Sequence, residues 1–448
     1  MTPGARAAAA IELLGIVEAD LSRPADALVT AWFRQRRYAG GGDRRAITAA
    51  VYTVLRRRAQ IDWWLEAAGL DANPRARVIA ALLLAEGWSA AALDAAFDGG
   101  QYRPSPLTAQ ERALAGKLDG QGFSDPAQPF HVRTNIPAWM EEDFRAALGD
   151  SAEAELAALM GEASVDLRIN SLKTDRGAVA EFLAADGIES APTRHSPLGL
   201  RLGGRVNLAA SRILRDGLAE PQDESSQVAA LLTDARPGQT VVDFCAGAGG
   251  KTLALAAMMQ NRGRLLACDS MPARLARAVP RLERAGVTIA ETIALDGDGD
   301  GLWAGAPVGG CDRVLVDAPC TGAGTWRRNP ESRWRINREH FIELTARQSG
   351  ILSTASRLVA PGGRLVYGVC SLLAGEGEAV VAEFLLNHME FNTIRVRTLW
   401  SGRLDSDCPA GDVFLRLRPG RDGTDGFFLA VMERKAADLG APRSGPVQ

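Results

Sequence analysis

Residues 240–259 read TVVDFCAGAGGKTLALAAMM. This stretch opens with TVVDF, an apolar run typical of a buried strand, and closes with LALAAMM, which predicts a helix. Between them, Gly247, Gly249 and Gly250 predict a tight turn, because glycine adopts positive φ and lets the backbone approach a ligand closely. A strand, a glycine turn and a helix in this order are typical of the start of a nucleotide-binding α/β sheet.

Strand-like and helix-like runs continue to alternate downstream of this stretch. RLLACD (264–269), RVLVDA (313–318) and RLVYGV (364–369) are predicted strands, and helical patterns separate them. Strands that alternate with helices predict a mostly parallel sheet covered on both faces. We therefore expect a Rossmann-like α/β domain over residues 221–448.

The upstream part of the chain has a different character. Residues 1–135 have helical spacing of apolar side chains, with Asp43 as a predicted helix cap and another helix expected after Asn73-Pro74. Residues 136–220 mix strand and helix patterns, beginning with VDLRINSLK (165–173). The sequence therefore predicts three domains: an all-helical domain (1–135), a small α+β module (136–220) and the α/β domain (221–448).

The composition is that of an ordinary globular protein. Of 448 residues, 46% are hydrophobic and 23% are charged, and the net charge of −3 argues against a uniformly basic nucleic-acid binder. We recognise no secretory signal and no apolar run long enough to span a bilayer, so a cytoplasmic location is expected. The six cysteines form no CxxC pair, and no metal site is predicted.

Local basic segments are nevertheless present. From Arg34 to Arg58 there are eight arginines, Arg44 and Arg45 among them, against a single acid. This pattern fits a solvated helix face and a phosphate-contacting surface about equally well. The sequence alone leaves the two interpretations open.

An acid follows the second predicted strand of the α/β domain. Asp269 stands 22 residues after Gly247, where doubly wound folds place the carboxylate that binds ribose hydroxyls. The helix that begins near Lys251 offers free N–H groups. Thr252 occupies the position of the third glycine of a dinucleotide fingerprint, so an adenosine cofactor other than a dinucleotide is expected. A further acid should follow the third strand, but IALDGDGDG (293–301) offers Asp296, Asp298 and Asp300 without distinguishing them.

Two cysteines follow predicted strands that lie close to this turn. Cys320 stands in DAPCTG (317–322) and Cys370 in GVCS (368–371). In open α/β sheets, ligands bind beyond the carboxyl ends of the strands, so both thiols should lie near the cofactor. A thiolate that adds to carbon 6 of cytosine makes carbon 5 nucleophilic enough to accept a methyl group. Asp317 is placed to hydrogen-bond the ring nitrogen that gains charge.

Taken in order, these motifs resemble the bacterial Sun-type (RsmB-like) branch of the RNA cytosine-5 methyltransferases. The resemblance rests on LRINSLK (167–173), PQDESSQ (221–227), DFCAGAGGKT (243–252), DAPCTGAGTWRRNPE (317–331), GVCSL (368–372) and DGFF (425–428). It covers nearly the whole chain, and the N-terminal helices look like the NusB-like RNA-binding domain of that branch. The resemblance implies an S-adenosylmethionine methyltransferase domain preceded by this helical domain and a small α+β module.

The resemblance also implies roles for individual residues. Cys370 is expected to be the nucleophile and Cys320 to help release the product, with Asp317 and Lys251 beside them. The expected S-adenosylmethionine contacts are Cys245, Ala246, Gly247, Ala248, Gly249, Gly250, Lys251, Asp269, Asp296, Asp298 and Asp317. The expected RNA contacts are Arg327, Arg328, Arg44 and Arg45.

Several alternatives remain at this stage. Ribosomal RNA is the first expectation for the substrate, and transfer RNA is the second. A non-catalytic RNA-binding assembly factor would be favoured by loss of the cysteines or of the glycine turn, and both are present. A methyltransferase for protein or small molecules is disfavoured by the basic segment 327–338. We expect a monomer without metal.

Overall fold

The computed structural model describes residues 1–436 except 205, 207, 209–210, 298–300 and 410–412. The chain forms two compact units. Unit 1 comprises Met1–Glu162 and Thr325–His340, and unit 2 comprises Ala163–Gly324 and Phe341–Gln448. The chain thus enters unit 1 a second time, which the linear three-domain scheme does not anticipate. That scheme itself stays a prediction.

Unit 1 is built from helices around one apolar core. Leu13, Val54 and Ile79 are completely buried there, on three different helices that pack together. The confirmed all-helical region follows from the helical spacing of these side chains. The α-helices of its first segment are α1 (Pro3–Ala19), α2 (Ala25–Gln35), α3 (Gly41–Ala67), α4 (Pro74–Glu86), α5 (Ala90–Ala96), α6 (Ala109–Leu118), α7 (Phe130–Arg133), α8 (Glu141–Leu148) and α9 (Ala152–Ala158).

The helix expected after Asn73-Pro74 is present, whereas the predicted cap at Asp43 is wrong. Asn73 caps α4 and accepts a hydrogen bond from the backbone N–H of Ala76 at 3.0 Å. Asp43 is not the cap of α3, because that helix begins two residues earlier and Gly40 is its N-cap. Asp43 is instead the third residue of the helix, and its carboxylate accepts the N–H of Gly40. The positive end of the helix dipole stabilises a negative charge at this position.

The second segment of unit 1, Thr325–His340, is firmly packed. It includes a 3₁₀ helix, Pro330–Trp334, and Arg333 is fully buried. The Arg333 guanidinium donates to the backbone oxygen of Asn135 at 2.8 Å and lies 4.9 Å from the ring of Trp326. Glu331 accepts the N–H of Ala25, the first residue of α2, at 3.1 Å. A buried arginine and a buried glutamate therefore hold this segment against residues of the first segment.

Unit 2 begins with a small antiparallel sheet. Among the described residues its strand order is β2-β3-β1-β4, and Leu167, Ile169 and Leu200 lie in its buried core with Val179 of the neighbouring helix. The elements are β1 (Asp166–Ile169), α10 (Arg176–Ala185), β2 (Ser190–Pro192), β3 (Gly199–Leu202), α11 (Arg212–Arg215) and β4 (Ala219–Pro221).

A large sheet follows in unit 2. Its elements are α12 (Glu224–Leu232), β5 (Thr240–Asp243), α13 (Gly250–Met258), β6 (Arg264–Asp269), α14 (Pro272–Ala285), β7 (Ala290–Ala294), β8 (Cys311–Asp317), α15 (Arg338–Ser356, which starts in unit 1), β9 (Val359–Val369), α16 (Glu378–Asn387), β10 (Phe391–Ile394), α17 (Val396–Trp400), β11 (Leu415–Leu417), α18 (Pro419–Asp422) and β12 (Phe427–Arg434).

The strand order of the large sheet is β10-β12-β9-β8-β5-β6-β7, with β11 paired to β12, for the part of the chain that is described. Five strands run parallel to one another, in the order β7, β6, β5, β8 and β9. Strand β12 pairs with the far side of β9 and is antiparallel to it. Consecutive residues Val241 and Val242 belong to different buried clusters, as expected for a sheet covered on both faces. The predicted Rossmann-like fold is confirmed. The chain order reverses between β5 and β8, where such sheets bind ligands.

No helix in the described residues is both long and apolar enough to cross a membrane.

Candidate active site

A glycine loop, residues 245–250, joins β5 to α13. Gly247 and Gly249 have φ of +57° and +78°, in the left-handed region. A Cβ on Gly247 would lie 2.6 Å from a guanidinium nitrogen of Arg274, and one on Gly249 would lie 2.9 Å from the Cβ of Ala278. The backbone conformation therefore favours glycine at both positions, the lack of space adds to this at Gly249, and the chain can turn tightly into α13.

Asp269, at the end of β6, supports the glycine loop directly. Its Oδ2 accepts the N–H of Gly247 at 2.8 Å, and its Oδ1 accepts the N–H of Met271 at 2.8 Å. The residue is only 4% exposed. Arg274 also lies 3.5 Å from its Oδ2. Because a carboxylate has about four acceptor sites, acceptor capacity remains for donors such as ribose hydroxyls. Asp269 can therefore hold the loop and a ligand at the same time.

Asp243, at the end of β5, is completely buried below the loop. Its Oδ2 accepts the hydroxyl of Thr252 at 2.7 Å, while its Oδ1 has no hydrogen-bonding partner among the described residues. Burial raises the pKa of Asp243 to about 6 despite that hydrogen bond, and the nearby charge of Asp317 adds to the shift. The carboxyl group therefore takes up a proton at mildly acidic pH.

Lys251 and Asp317 form an ion pair between α13 and the end of β8. The Lys251 Nζ lies 2.7 Å from the Asp317 Oδ2 and 5.4 Å from the ring centre of Phe427, in the DGFF segment. Burial alone would lower the pKa of Lys251, but the carboxylate of Asp317 outweighs it and the pKa is raised. The lysine is thus a fixed positive charge, and Asp317 is oriented by it.

The two predicted reactive cysteines meet. The sulfur atoms of Cys320 and Cys370 are 3.2 Å apart, and both residues are partly exposed. The hydrogen bond to Cys370, followed by burial, holds the pKa of Cys320 well above the usual thiol value. Cys245 also has a raised pKa, caused by burial and then by the charge of Asp317. Cys320 and Cys245 therefore both keep their protons near neutral pH.

Glu376 joins the loops that carry the two cysteines, a role that the sequence analysis missed. This buried carboxylate accepts the backbone N–H of Thr321 at 2.7 Å and the side-chain amide of Gln348 at 3.1 Å. The Thr321 hydroxyl also donates to it. Independently, the N–H of Gly324 donates to the backbone oxygen of Cys370 at 3.0 Å. A glutamate in a Gly-rich loop after GVCS was the available signal, but its partners are distant in sequence.

The other predicted site residues do not join this cluster. Asp296 is exposed after β7, and Asp298 lies outside the described residues. In unit 1, Arg327 is buried and Arg328 is partly buried, whereas Arg44 and Arg45 are exposed at the start of α3. Their assignments stay predictions. Within the described ranges, no group of three or more His, Cys, Asp or Glu side chains could hold a metal ion.

The large sheet, the glycine loop at its switch point and the acid after β6 define the class of Rossmann-like methyltransferases. Over residues 230–433 the chain matches the family model described as 16S rRNA methyltransferase RsmB/F, and over 136–209 it matches the ferredoxin-like domain of RsmF/B-like methyltransferases. The chain belongs to the RsmB/F methyltransferase family, whose members are S-adenosylmethionine-dependent enzymes acting on RNA. The resemblance stated from the motifs is thereby confirmed.

The similarity to two relatives and to one solved structure extends over most of the chain. It is 33% identical over 303 residues to the probable ribosomal RNA small subunit methyltransferase B of Synechocystis, covering 67% of each chain. It is 31% identical over 411 residues to ribosomal RNA small subunit methyltransferase B of Xylella fastidiosa, covering 87% of this chain and 89% of that one. The crystal structure of PH0851 superposes with a TM-score of 0.76 at 27% identity, covering 97% and 99%.

Proposed function

We propose that this protein methylates carbon 5 of a cytosine in the RNA of the small ribosomal subunit, through a covalent adduct with Cys370. The observation that carries the proposal is the pair of thiols, 3.2 Å apart, that follow the neighbouring strands β8 and β9. Methyl transfer to an exocyclic nitrogen needs no such pair, because the amine is itself the nucleophile. Carbon 5 of cytosine needs prior activation, which covalent addition of a thiolate provides.

The residues around the glycine loop fit S-adenosylmethionine. When bound, this cofactor supplies a methyl group on a positively charged sulfur. The free carboxylate acceptor sites of Asp269 suit the ribose hydroxyls, and the close-packed glycines leave the backbone of the loop accessible. We assign the contacts to residues 245–251, Asp269 and Asp317.

The two thiols have different roles in the proposal. Cys370 gives up its thiol proton and adds as a thiolate to carbon 6 of the cytosine, while the ring nitrogen between carbons 2 and 4 takes up a proton. Carbon 5 then takes the methyl group. Finally, a base removes the proton from carbon 5, the bond from carbon 6 to Cys370 breaks with its electron pair going to the sulfur, and the ring nitrogen gives its proton back. The removal of the carbon 5 proton is assigned to Cys320, because its sulfur lies 3.2 Å from that of Cys370; it acts in its thiolate form, after giving up its own proton.

Asp317 and Lys251 complete the site. Asp317 follows β8 three residues before Cys320, and its side chain remains partly exposed at 31%. A carboxyl group there can hydrogen-bond the ring nitrogen that gains a proton in the adduct. The ion pair with Lys251 fixes its orientation, which we infer to be the contribution of the lysine.

Bisulfite sequencing of ribosomal and transfer RNA tests the proposal. RNA from cells with the gene, without it, and complemented with wild type or Cys370→Ser should be compared. We expect one or more cytosines of small-subunit RNA to lose bisulfite protection without the gene, and to regain it only with wild type. If bisulfite protection changes only in transfer RNA, then transfer RNA is the substrate and ribosomal RNA is not. Unchanged protection in every RNA would contradict cytosine-5 methylation.

A further inference from the structure

Two backbone carbonyls of the glycine loop are held by arginines. The Arg168 Nη1 donates to the oxygen of Gly250 at 2.6 Å, and the Arg281 Nη1 donates to the oxygen of Ala248. Arg168 lies in β1 of the small sheet, and Arg281 lies in α14. The loop is therefore supported by two cations from elements outside the β5-loop-α13 segment.

These arginines are themselves fixed in place. Arg168 is 3% exposed, and the same nitrogen donates to the side-chain oxygen of Gln222 at 2.7 Å. Arg281 pairs at 3.1 Å with Glu220 of β4, which is 4% exposed and also pairs with Arg284. Burial lowers the pKa of Arg168 to about 10, so its guanidinium remains charged near neutral pH. Side chains of the small sheet thus determine where both guanidinium groups lie.

The carbonyls that the two arginines hold lie next to backbone N–H groups that a ligand would use. The oxygen of Gly250 and the N–H of Lys251 belong to one rigid peptide group, so holding the oxygen fixes the direction of the N–H. That N–H is in the first turn of α13, where N–H groups have no acceptor within the helix. Arg281 acts on the preceding turn, at the residue before the left-handed Gly249. A hydrogen bond with a charged donor is stronger than a neutral one, so both carbonyls are firmly held.

We propose that Arg168 and Arg281 are positioning residues for S-adenosylmethionine, and that the small sheet of unit 2 is a working part of the cofactor site. The proposal rests on the proposed function, since it takes the glycine loop as the cofactor site. Neither arginine needs to touch the cofactor. Each keeps the loop in the conformation that binds it, so losing either should weaken cofactor binding without altering the chemistry at Cys370.

Calorimetric titration with S-adenosylhomocysteine, a stable product of methyl transfer, tests the proposal on the full chain. Arg281→Met and Arg168→Met should each raise the Kd about 10- to 100-fold, the loss typical of one charged hydrogen bond. Arg284→Met is the matched control, because Arg284 shares the helix and the partner Glu220 but donates to neither loop carbonyl. It should change the Kd less than about threefold.

The kinetic constants distinguish a positioning role from a general loss of structure. With both positioning variants, the KM for S-adenosylmethionine should rise in step with the Kd, while kcat at saturating cofactor and the KM for RNA stay within about twofold. Arg168 is buried and its variant can fail to fold, so circular dichroism and melting temperature are compared, and the partly exposed Arg281 provides the second variant. Wild-type affinity in folded Arg281→Met would overturn the proposal. A wild-type protein that binds no S-adenosylhomocysteine would instead overturn the proposed function.

Discussion

The sulfur of Cys320 lies 3.2 Å from the sulfur of Cys370, although 50 residues separate them in the chain. Parallel pairing of β8 with β9 brings the two following loops together, so the contact is a product of sheet topology. The pKa of Cys320 is raised by its hydrogen bond to Cys370 and by burial, and the two thiols have different roles in the proposed mechanism. Substituting one cysteine should therefore have a different effect from substituting the other.

Replacing the proposed nucleophile should abolish the chemistry and spare cofactor binding. In Cys370→Ser the methylation rate should fall at least about a thousandfold, because a serine hydroxyl is far less ionised than a thiol near neutral pH. The Kd for S-adenosylhomocysteine should stay within about threefold of wild type, since the glycine loop does not depend on Cys370. Radioactive methyl transfer to RNA and calorimetry measure the two effects. Full activity in Cys370→Ser would remove this residue from the mechanism.

Replacing the second thiol should trap the adduct. Cys320→Ala leaves Cys370 free to add to the base but removes the group assigned to its release. A slowly migrating, RNase-sensitive band should therefore accumulate on a denaturing gel after incubation with RNA and S-adenosylmethionine. The band should be absent from the Cys320→Ala/Cys370→Ala double mutant. If it forms with Cys370→Ala alone, the roles of the two cysteines are reversed.

Removing the acid after β6 should weaken cofactor binding. Asp269→Ala deletes the acceptor of the Gly247 N–H together with the proposed ribose contacts. The Kd for S-adenosylhomocysteine should rise about 10- to 100-fold or more, as expected for lost hydrogen bonds to a charged group. Asp296→Ala, at the exposed position after β7, tests in the same titration the other acid that the sequence assigns to the cofactor. An unchanged affinity in Asp269→Ala would mean that the ribose partner is misassigned.

Some residues of this site could be predicted from the sequence, and others could not. Asp269 and Cys370 could be predicted because each directly follows an apolar strand, and parallel strands end at one edge of the sheet. Glu376 and Arg168 could not be assigned a role, because their partners Thr321 and Gly250 are 55 and 82 residues away. Such contacts depend on how loops and sheets pack, and neither periodicity nor a short motif encodes them.

The glutamate between the two cysteine loops should affect turnover rather than cofactor binding. In Glu376→Gln one carboxylate oxygen becomes an NH₂ group that faces donors of Thr321 or Gln348, and a buried unpaired donor costs about 1–3 kcal/mol. We expect kcat to fall about tenfold and the melting temperature to decrease, with the Kd for S-adenosylhomocysteine unchanged. Glu378→Gln is the matched control, because Glu378 pairs with Arg416 instead. Equal kcat values for the two variants would remove the positioning role.

The buried carboxyl of Asp243 should make stability depend on pH. Its pKa is about 6 in the folded protein against an ordinary value of 3.8, so the folded state binds more protons than the unfolded state between these values. Stability should therefore fall as pH rises from about 4 to 6 and then level off, with a total cost of about 2–3 kcal/mol.

Asp243→Asn tests this effect, since asparagine can still accept the hydroxyl of Thr252. The variant should gain melting temperature over wild type as pH rises from 4.5 to 6.5, and its advantage should remain constant from 6.5 to 8. Thermal unfolding followed by circular dichroism at each pH gives the difference. A difference that does not vary with pH would mean that Asp243 does not titrate in this range.

The buried side chain of Arg333 has a consequence for biosynthesis. Its acceptor, the backbone oxygen of Asn135, precedes it by 198 residues. The N-terminal helices therefore emerge from the ribosome long before the segment Thr325–His340 that packs among them, and much of unit 2 is synthesised in between. Until that segment is made, the backbone oxygen of Asn135 lacks its buried guanidinium partner. The last steps of folding in unit 1 thus follow the synthesis of the loop that carries Cys320.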